Sequence, residues 1–492
     1  MPATLCLCSA LYALTLLPAC YHRAAPANAN APDAAASVFF ETLPDEQQGD
    51  DALANARRLD HQSRQSDGGL PSMSAQEHMR RAAVYLANRA FAEAREHWTT
   101  LIARYPTDAN VPAALFGIGR SFYVERRNAE ALPFFERLGR EFEQQKEGRE
   151  GFYYTAATML RLGRPADAAA RYLEYAEKFP AGERIENAYL NAIDSWREAG
   201  RDEEARRWIS FTREHFRGKP TDTNALFALL RLELAAGQWQ AAVRVADELR
   251  ATTFAAGVQT TQAEVAYLKA YALERAKQEA QAGATFQAIA DRAASYYGGQ
   301  ATEHLQKLDS ASKRAAAART AAVKKEIEAA AANYPVPNRE VLLNAVKGKN
   351  VDPRFVLSIM RQESSFNPRA RSNAGARGLL QLTIDAANKY AAGAGLKNVT
   401  EEDLYRPEVN IAVGVEYLAT LFRMFPNLPE GVAASYNGGE DNVERWVRRT
   451  VNKDNGVFTA EIGFPDSKDY ALKVMANYRA YQQLYTSDLR RR

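Results

Sequence analysis

Hydrophobic and polar positions between residues 75 and 309 recur in a pattern typical of paired amphipathic helices. A turn-forming stretch is followed by a tetrad ending in alanine, and then by a helix with one apolar face. The tetrads are FAEA at 91–94, NAEA at 128–131, PADA at 165–168, DEEA at 202–205, QWQA at 238–241 and EAQA at 279–282. Their final alanines are 37, 37, 37, 36 and 41 residues apart. This period predicts a stacked array of helix pairs.

The repeated region resembles tetratricopeptide repeats with a few residues added to each unit. Such an array forms a curved wall with a concave surface, which is either a scaffold or a groove that recruits a protein partner. Its aromatic residues are expected in the core more often than in a groove; they include Trp98, Tyr123, Tyr153, Tyr154 and Trp239. Residues 310–333 are Ala-rich with scattered Lys, Arg and Glu, which predicts a helical connector.

The first 20 residues are predicted to be an export signal. Residues 5–17 are apolar but too few to span a bilayer comfortably, and they lead into Leu17-Pro18-Ala19-Cys20. This ending resembles a bacterial lipobox, which implies acylation of Cys20 and attachment to the outer membrane from the periplasm. Pro18 and the lack of Lys or Arg before the apolar run depart from that pattern, so simple secretion and an uncleaved anchor stay open. Residues 21–74 lack sustained periodicity and are expected to be a flexible linker.

Composition narrows the chemistry of the chain. Of its 492 residues 46% are hydrophobic and 25% are charged, and the net charge is +3, which is too balanced for a dedicated nucleic-acid binder. All three cysteines lie in the first twenty residues and all six histidines lie before residue 305. Residues 334–492 therefore cannot form a Ser/His/Asp triad, a Cys/His pair or a histidine-ligated zinc site. Carboxylates, Lys and Tyr remain for catalysis there, and no metal or cofactor is implied.

One carboxylate in this last third stands out by its place on a helix. Asp352-Pro353 is a strong helix start, because an N-cap acceptor precedes proline at the first helical position. Val356, Ile359, Met360 and Glu363 then share one face, with Glu363 at the end of the apolar stripe. Glu363 is either an edge residue that reaches solvent or a carboxyl group in an apolar pocket. In the second case its pKa is raised, which is typical of a general acid.

Five motifs after this point occur in the order found in one enzyme family. They are R-Q-E-S-x-F-N-P at 361–368, G-A-x-G-L-x-Q at 375–381, P-E-x-N-I at 407–411, Y-N-G at 436–438 and F-x-x-E-I at 458–462. Residues 334–485 thereby resemble the lysozyme-like catalytic domain of soluble lytic transglycosylases. The fold class expected for the chain is mostly α: a tetratricopeptide-like helical-repeat superhelix over 75–309, followed by a lysozyme-like catalytic domain over 334–492.

The resemblance also implies roles for individual residues. Glu363 would be the sole catalytic acid/base, and Gln381 and Tyr436 would line the substrate site. Ser364 would hydrogen-bond the catalytic carboxyl group or the substrate, and Glu461 would be a second carboxylate that binds sugar. Asn437 is either a substrate contact or a turn former.

The implied substrate is the glycan strand of peptidoglycan. The family cuts the β-1,4 bond between N-acetylmuramic acid and N-acetylglucosamine and leaves a 1,6-anhydro end. Two alternatives stay open from the sequence. One is a muramidase that admits water to the same site, and the other is a non-catalytic repeat adaptor that binds the glycan.

Overall fold

The computed structural model describes residues 49–450 and 454–492 of the chain. Within these residues it has 23 α-helices, two short 3₁₀ helices (Ala331–Asn333 and Glu402–Tyr405) and no β-strand, only isolated β-bridges. The α-helices are α1 (Asp50–Ser63), α2 (Ala75–Ala87), α3 (Phe91–Arg104), α4 (Val111–Val124), α5 (Asn128–Glu141), α6 (Lys146–Arg161), α7 (Pro165–Lys178), α8 (Ile185–Glu198), α9 (Asp202–His215), α10 (Pro220–Ala235), α11 (Trp239–Arg250), α12 (Gln262–Arg275), α13 (Glu279–Ala288), α14 (Tyr296–Leu305), α15 (Ser310–Ala329), α16 (Arg339–Val346), α17 (Pro353–Ser364), α18 (Ile384–Tyr390), α19 (Pro407–Met424), α20 (Pro429–Gly438), α21 (Glu440–Arg449), α22 (Asn455–Glu461) and α23 (Pro465–Leu484). The predicted fold class, mostly α with helical repeats ahead of an α-rich domain, is confirmed.

Helices α2 to α13 form six antiparallel pairs, and the second helix of each pair begins at the first residue of a tetrad. The fourth residue of each tetrad is a fully buried alanine, at positions 94, 131, 168, 205, 242 and 282. The fifth tetrad is therefore W-Q-A-A at 239–242, and the sequence alignment that ended it at Ala241 was wrong by one residue. Trp239 is the first helical residue, as Phe91 and Asn128 are in their pairs, and this restores a spacing of 37 residues.

The aromatic residues of the array lie in its core. Trp98, Tyr123, Tyr153 and Tyr154 are at most 3% exposed, and Trp239 is half-buried. Edge-to-face contacts connect neighbouring pairs, such as Tyr123 with Tyr154 at 5.6 Å between ring centroids. Each such contact adds roughly 0.5–1.5 kcal/mol beyond the apolar area it buries. These rings stabilise the stacking of the array, as expected.

Helix α1 lies inside the stretch that was predicted to be a flexible linker, so that prediction is wrong for residues 50–63. Leu53, Ala56 and Asp60 form its buried face, and Asp60 accepts hydrogen bonds from Arg81 and Tyr85 of α2. The sequence pattern missed this helix because a buried face of one leucine, one alanine and one aspartate has little apolar signal. Residues 1–48, with the predicted signal and Cys20, lie outside the described residues.

The last third of the chain packs around α17, α19, α20 and α23. The Asp352 carboxylate caps α17 by accepting a hydrogen bond from the Arg354 amide at 2.9 Å, as the sequence predicted. The connector residues form α15 and a short 3₁₀ turn, which agrees with the predicted helix.

Among the described helices, none combines the length and the hydropathy that crossing a membrane requires.

This domain contacts the repeat array along the whole length of the array, from the first helix pair to the last. Ion pairs link Arg89 of the α2–α3 turn to Asp385, Arg445 to Glu198 of α8, and Arg479 to Asp291 beyond α13. The array therefore curves around one side of the domain, and the residues of any site on that side have repeat residues as neighbours.

Candidate active site

Glu363 lies in the last turn of α17, above a completely buried apolar stripe. Val356, Ile359 and Met360 are 0% exposed and the Glu363 side chain is partly buried. Burial of the carboxyl group raises its pKa from 4.5 to about 7, despite an opposing contribution from a hydrogen bond with Tyr470. Of the two possibilities that the spacing left open, the geometry favours a carboxyl group held in an apolar pocket.

Tyr470 of α23 is a site residue that the sequence analysis missed. Its hydroxyl group donates to Glu363 Oε1 at 2.6 Å, and the residue is only 7% exposed. Burial, followed by the nearby Glu363 charge, raises the pKa of the phenol well above its ordinary value, so it stays a donor. One signal was available: Ser467, Tyr470, Ala471 and Val474 have helical spacing and form a buried face. A hydroxyl group on such a face needs a partner.

Ser364 connects the end of α17 to the glycine-rich turn and does not contact the Glu363 carboxyl group. Its hydroxyl group donates to the carbonyl oxygens of Leu379, at 2.8 Å, and Met360, at 3.2 Å. Of the two roles that the resemblance implied, a hydrogen bond to the catalytic carboxyl group is not formed, and a hydrogen bond to the substrate stays a prediction. By fixing Leu379, Ser364 holds the start of the segment that leads to Gln381.

Gln381 lies at the tip of this segment in the left-handed region, with φ of 46°. Its amide nitrogen donates to the carbonyl oxygens of Gly378, at 2.9 Å, and Ala370, at 3.1 Å. Gly378 has φ of 77°, and a Cβ atom there would come within 2.2 Å of the Leu404 carbonyl oxygen. The turn thus requires glycine at this position.

The buried Asn410 side chain stabilises the same turn through hydrogen bonds to its backbone. Its carbonyl oxygen accepts from the Leu380 amide at 2.8 Å, and its amide group donates to the carbonyl oxygens of Arg377 and Leu404. These three bonds satisfy the backbone of a turn that has no regular secondary structure. The P-E-x-N-I motif therefore has a structural role at its asparagine.

Tyr436 and Asn437 come from the last turn of α20, opposite the turn that carries Gln381. The Tyr436 hydroxyl group donates to the Leu380 carbonyl oxygen at 2.7 Å, and its ring stacks on Tyr417 at 5.1 Å. Burial and the nearby Glu363 charge raise the pKa of Tyr436 well above its ordinary value. Asn437 is exposed, and its side-chain oxygen accepts from the Ser467 hydroxyl group at 2.7 Å.

Gln381, Tyr436 and Asn437 together line an open cavity of about 480 Å³. Lys389 and Tyr390 of α18 and Tyr417 of α19 add to the domain side of this cavity. Its opposite side is formed by residues of two repeat turns, among them Arg89 and Arg126. The cavity has the size of a site for a small ligand or for part of a polymer.

Glu461 is not in this cavity, which differs from the sugar-binding role that the resemblance implied. The residue is 3% exposed, and its carboxylate pairs with Arg197 at 2.6 Å and with Arg231 and Arg449 at 3.5 Å. Burial acts to raise the pKa of Glu461, but these three guanidinium groups outweigh it and the pKa is lowered. Reasoning from the last third alone missed this arrangement, because Arg197 and Arg231 belong to α8 and α10.

Residues 49–450 and 454–492 contain no group of three or more His, Cys, Asp or Glu side chains that could hold a metal ion. Burial raises the pKa of Glu363, and the hydrogen bond from Tyr470 opposes this increase. The arrangement can therefore deliver and accept one proton at one carboxyl group near an open cavity.

Comparison with known proteins gives matches to the same part of the chain. Residues 340–458 match the Transglycosylase SLT domain. The chain is 37% identical over 141 residues to a putative soluble lytic murein transglycosylase of Haemophilus influenzae, covering 28% of this chain and 24% of that protein. It is 28% identical over 157 residues to the soluble lytic murein transglycosylase of Escherichia coli K12, and this match covers 32% of this chain and 24% of that protein.

The chain thus spans about a quarter of the length of these curated relatives. The solved structure of an inactive mutant of the lytic transglycosylase Slt from Pseudomonas aeruginosa is similar to this one. The alignment covers 92% of this chain and 78% of the Slt chain. The identity is 18% and the TM-score 0.49. The resemblance drawn from the motifs around Glu363 is confirmed: residues 340–458 have the sequence of a transglycosylase SLT domain.

Proposed function

We propose that the chain is a peptidoglycan lytic transglycosylase in which Glu363 is the only proton donor and acceptor. The observation that carries this proposal is the position of Glu363: its carboxyl group lies at the end of a buried apolar stripe and accepts a hydrogen bond from Tyr470 at 2.6 Å, and burial raises its pKa to about 7, so that much of the group is protonated at neutral pH. A carboxyl group in that state can act first as an acid and then as a base. The match of the surrounding residues to the transglycosylase SLT domain supports the substrate class.

The reaction then proceeds in two proton transfers. Protonated Glu363 donates to the glycosidic oxygen between N-acetylmuramic acid and N-acetylglucosamine, and the bond from that oxygen to C1 breaks. The Glu363 carboxylate next takes the proton of the muramic 6-hydroxyl group, whose oxygen bonds to C1. The product has a 1,6-anhydro ring, water is not consumed, and Glu363 is protonated again.

The surroundings of Glu363 fit a mechanism with one carboxyl group. Retaining and inverting glycosidases ordinarily need two carboxyl groups across the scissile bond, roughly 5–10 Å apart. Glu461, the second candidate, is paired with three arginines and has little exposed surface. An internal hydroxyl nucleophile removes the need for a second base. Tyr470 would hold the Glu363 carboxyl group in one orientation through both proton transfers.

A digest of purified peptidoglycan by the full chain tests the proposal. We expect muropeptides with 1,6-anhydro ends, which are one water lighter than hydrolysis products by mass spectrometry. Glu363→Gln keeps the size and the Tyr470 contact but removes the transferable proton, so its digest should contain no products. Asp466→Asn, four residues before Tyr470 on α23, serves as a control for loss of a carboxylate. Products from Glu363→Gln, or none from the unmutated chain, would contradict the proposal.

We further propose that the protein acts on peptidoglycan from the periplasm, with Cys20 acylated and held at the outer membrane. The support is the L-P-A-C sequence at 17–20 and the location of the proposed substrate. Cys20→Ala should move the protein from the membrane fraction to the soluble fraction, while Cys8→Ala should leave it in the membrane fraction. An unchanged distribution of Cys20→Ala would contradict acylation at this residue.

A further inference from the structure

The six helix pairs of the array differ in the type of residue at one position of the turn between their helices. The second residue after the first helix has positive φ in every pair, at positions 89, 126, 163, 200, 237 and 277. Positions 163, 200 and 237 are glycine, which adopts this conformation without strain. Positions 89 and 126 are arginine and position 277 is lysine, with φ between 60° and 64°. Since glycine is the favoured residue there, the two arginines require another explanation.

Both arginines reach across to the domain that carries Glu363. Arg89 makes two hydrogen bonds to the Asp385 carboxylate, at 2.6 and 3.0 Å. Arg126 pairs with Asp441 at 2.5 Å and lies 3.8 Å from Glu440. Burial acts to raise the pKa of the Asp385 carboxylate, but Arg89 outweighs it and the pKa is lowered. The Arg89–Asp385 pair is therefore charged at neutral pH.

The two contacts hold the two sides of the 480 Å³ cavity. Asp385 lies in the first turn of α18, which begins three residues after Gln381. Arg126 lies directly against the backbone of Gly439, where a Cβ atom would come within 1.6 Å of its Nη2 atom. Gly439 follows Asn437 by two residues, at the end of α20. One repeat turn therefore positions the Gln381 side of the cavity and the next turn positions the Tyr436–Asn437 side.

We infer that Arg89 and Arg126 are positioning residues for substrate binding, so that the first two repeat turns form part of the site that binds the peptidoglycan strand. This inference rests on the proposed function of the Glu363 site. The repeat array is then part of the substrate site in addition to its role as a support for the domain. Lys277 offers a matched comparison, because its turn has the same conformation but does not line the cavity.

The test compares Arg126→Gly, Arg89→Gly and Lys277→Gly in the full chain, with soluble glycan strands from purified peptidoglycan as substrate. Glycine relieves the left-handed backbone in each variant, so the thermal midpoints should equal or exceed that of the unmutated protein. We expect KM to rise at least about fivefold for the two arginine variants with kcat within twofold. Arg126→Lys should recover part of the loss, and Lys277→Gly should have unchanged kinetics.

A second measurement separates this inference from the proposed function. In the Glu363→Gln background, sedimentation with insoluble peptidoglycan reports binding without cleavage, and Arg126→Gly should reduce the bound fraction. Absence of cleavage by the unmutated chain would contradict the proposed function but leave this binding comparison valid. Unchanged KM and unchanged binding in both arginine variants would overturn the inference. A fall in kcat accompanied by a lower thermal midpoint would also overturn it, because it would indicate a purely structural role.

Discussion

At the scale of single residues, the proposed chemistry depends on the contact between Glu363 and Tyr470. Burial raises the pKa of Glu363 to about 7, whereas the Tyr470 hydrogen bond acts to lower it by stabilising the carboxylate. The two effects together set a pKa near neutral pH, where a single group can both donate and accept a proton. The pH dependence of the reaction and that of stability should both report on this one carboxyl group.

Tyr470→Phe should shift the alkaline limb of the pH–rate profile to higher pH. Removing the hydroxyl group leaves the carboxylate less stabilised, so the pKa of Glu363 rises further, by roughly one pH unit. The measurement is kcat/KM from pH 5 to 9 on soluble glycan strands. Tyr436→Phe is the matched control, because its hydroxyl group donates to a backbone carbonyl and not to Glu363. An alkaline limb that stays in place in Tyr470→Phe would show that this bond does not tune Glu363.

Glu363→Gln should stabilise the protein at pH 8 and have little effect at pH 4. The unfolded chain releases the Glu363 proton near pH 4.5 but the folded protein retains it until about pH 7. The unmutated protein therefore loses stability as the pH rises through this window, on the order of 2–3 kcal/mol, and the amide variant does not. Urea unfolding of both proteins at the two pH values checks this. Glu340→Gln, which removes an exposed carboxylate, is the control. An equal effect of Glu363→Gln at both pH values would contradict a raised pKa.

At the scale of elements, a fully buried alanine in the first turn of each second helix lets paired helices approach closely. The sequence period located these alanines in five of the six pairs, and the fifth was misplaced by one residue. Position 242 is 0% exposed, whereas Ala241 is partly exposed. The difference matters because a buried site of this kind has no room for a larger side chain.

Ala242→Leu should destabilise the protein by about 1–3 kcal/mol because it overpacks the contact between α11 and its neighbours. Ala241→Leu should change the free energy of unfolding by less than about 0.5 kcal/mol, since its side chain can extend toward solvent. Chemical denaturation of the two variants provides the comparison. Greater destabilisation by Ala241→Leu would favour the tetrad as first aligned.

The elements also show how far sequence reasoning reached. Periodicity predicted the helix pairs, Ala-rich composition predicted α15, and a cap with an apolar stripe predicted α17, because all of these signals are local in the sequence. The helix α1 was missed because its buried face contains Asp60, whose partners lie on α2 and α3. The place of Glu363 at the end of an apolar stripe was readable from spacing, but its Tyr470 partner lies 107 residues away. Contacts of that range depend on how the helices pack against each other, and local sequence patterns do not reveal that packing.

At the scale of the whole molecule, charged contacts join the repeats to the domain with the Glu363 site. One buried cluster contains the carboxylates of Asp194 and Glu461 and the guanidinium groups of Arg197, Arg231 and Arg449. Three cations and two anions lie there with little access to water. Removal of either carboxylate leaves a larger unbalanced charge in the interior.

Glu461→Gln should therefore lower the free energy of unfolding by roughly 3–5 kcal/mol. Its kcat and KM should stay close to those of the unmutated protein at temperatures where the variant is folded. Thermal unfolding together with kinetics on soluble strands distinguishes this outcome from a sugar-binding role. A raised KM with an unchanged thermal midpoint would return Glu461 to the substrate site. Glu444→Gln, at an exposed position on α21, is the control for loss of a surface carboxylate.

In the proposed reaction Glu363 works alone and the substrate's own hydroxyl group replaces water. A digest of purified peptidoglycan by the full chain in H₂¹⁸O tests it most directly. We expect products with 1,6-anhydro ends and no ¹⁸O at the new terminus, and no products from Glu363→Gln. New reducing ends that carry ¹⁸O would contradict it and identify a muramidase.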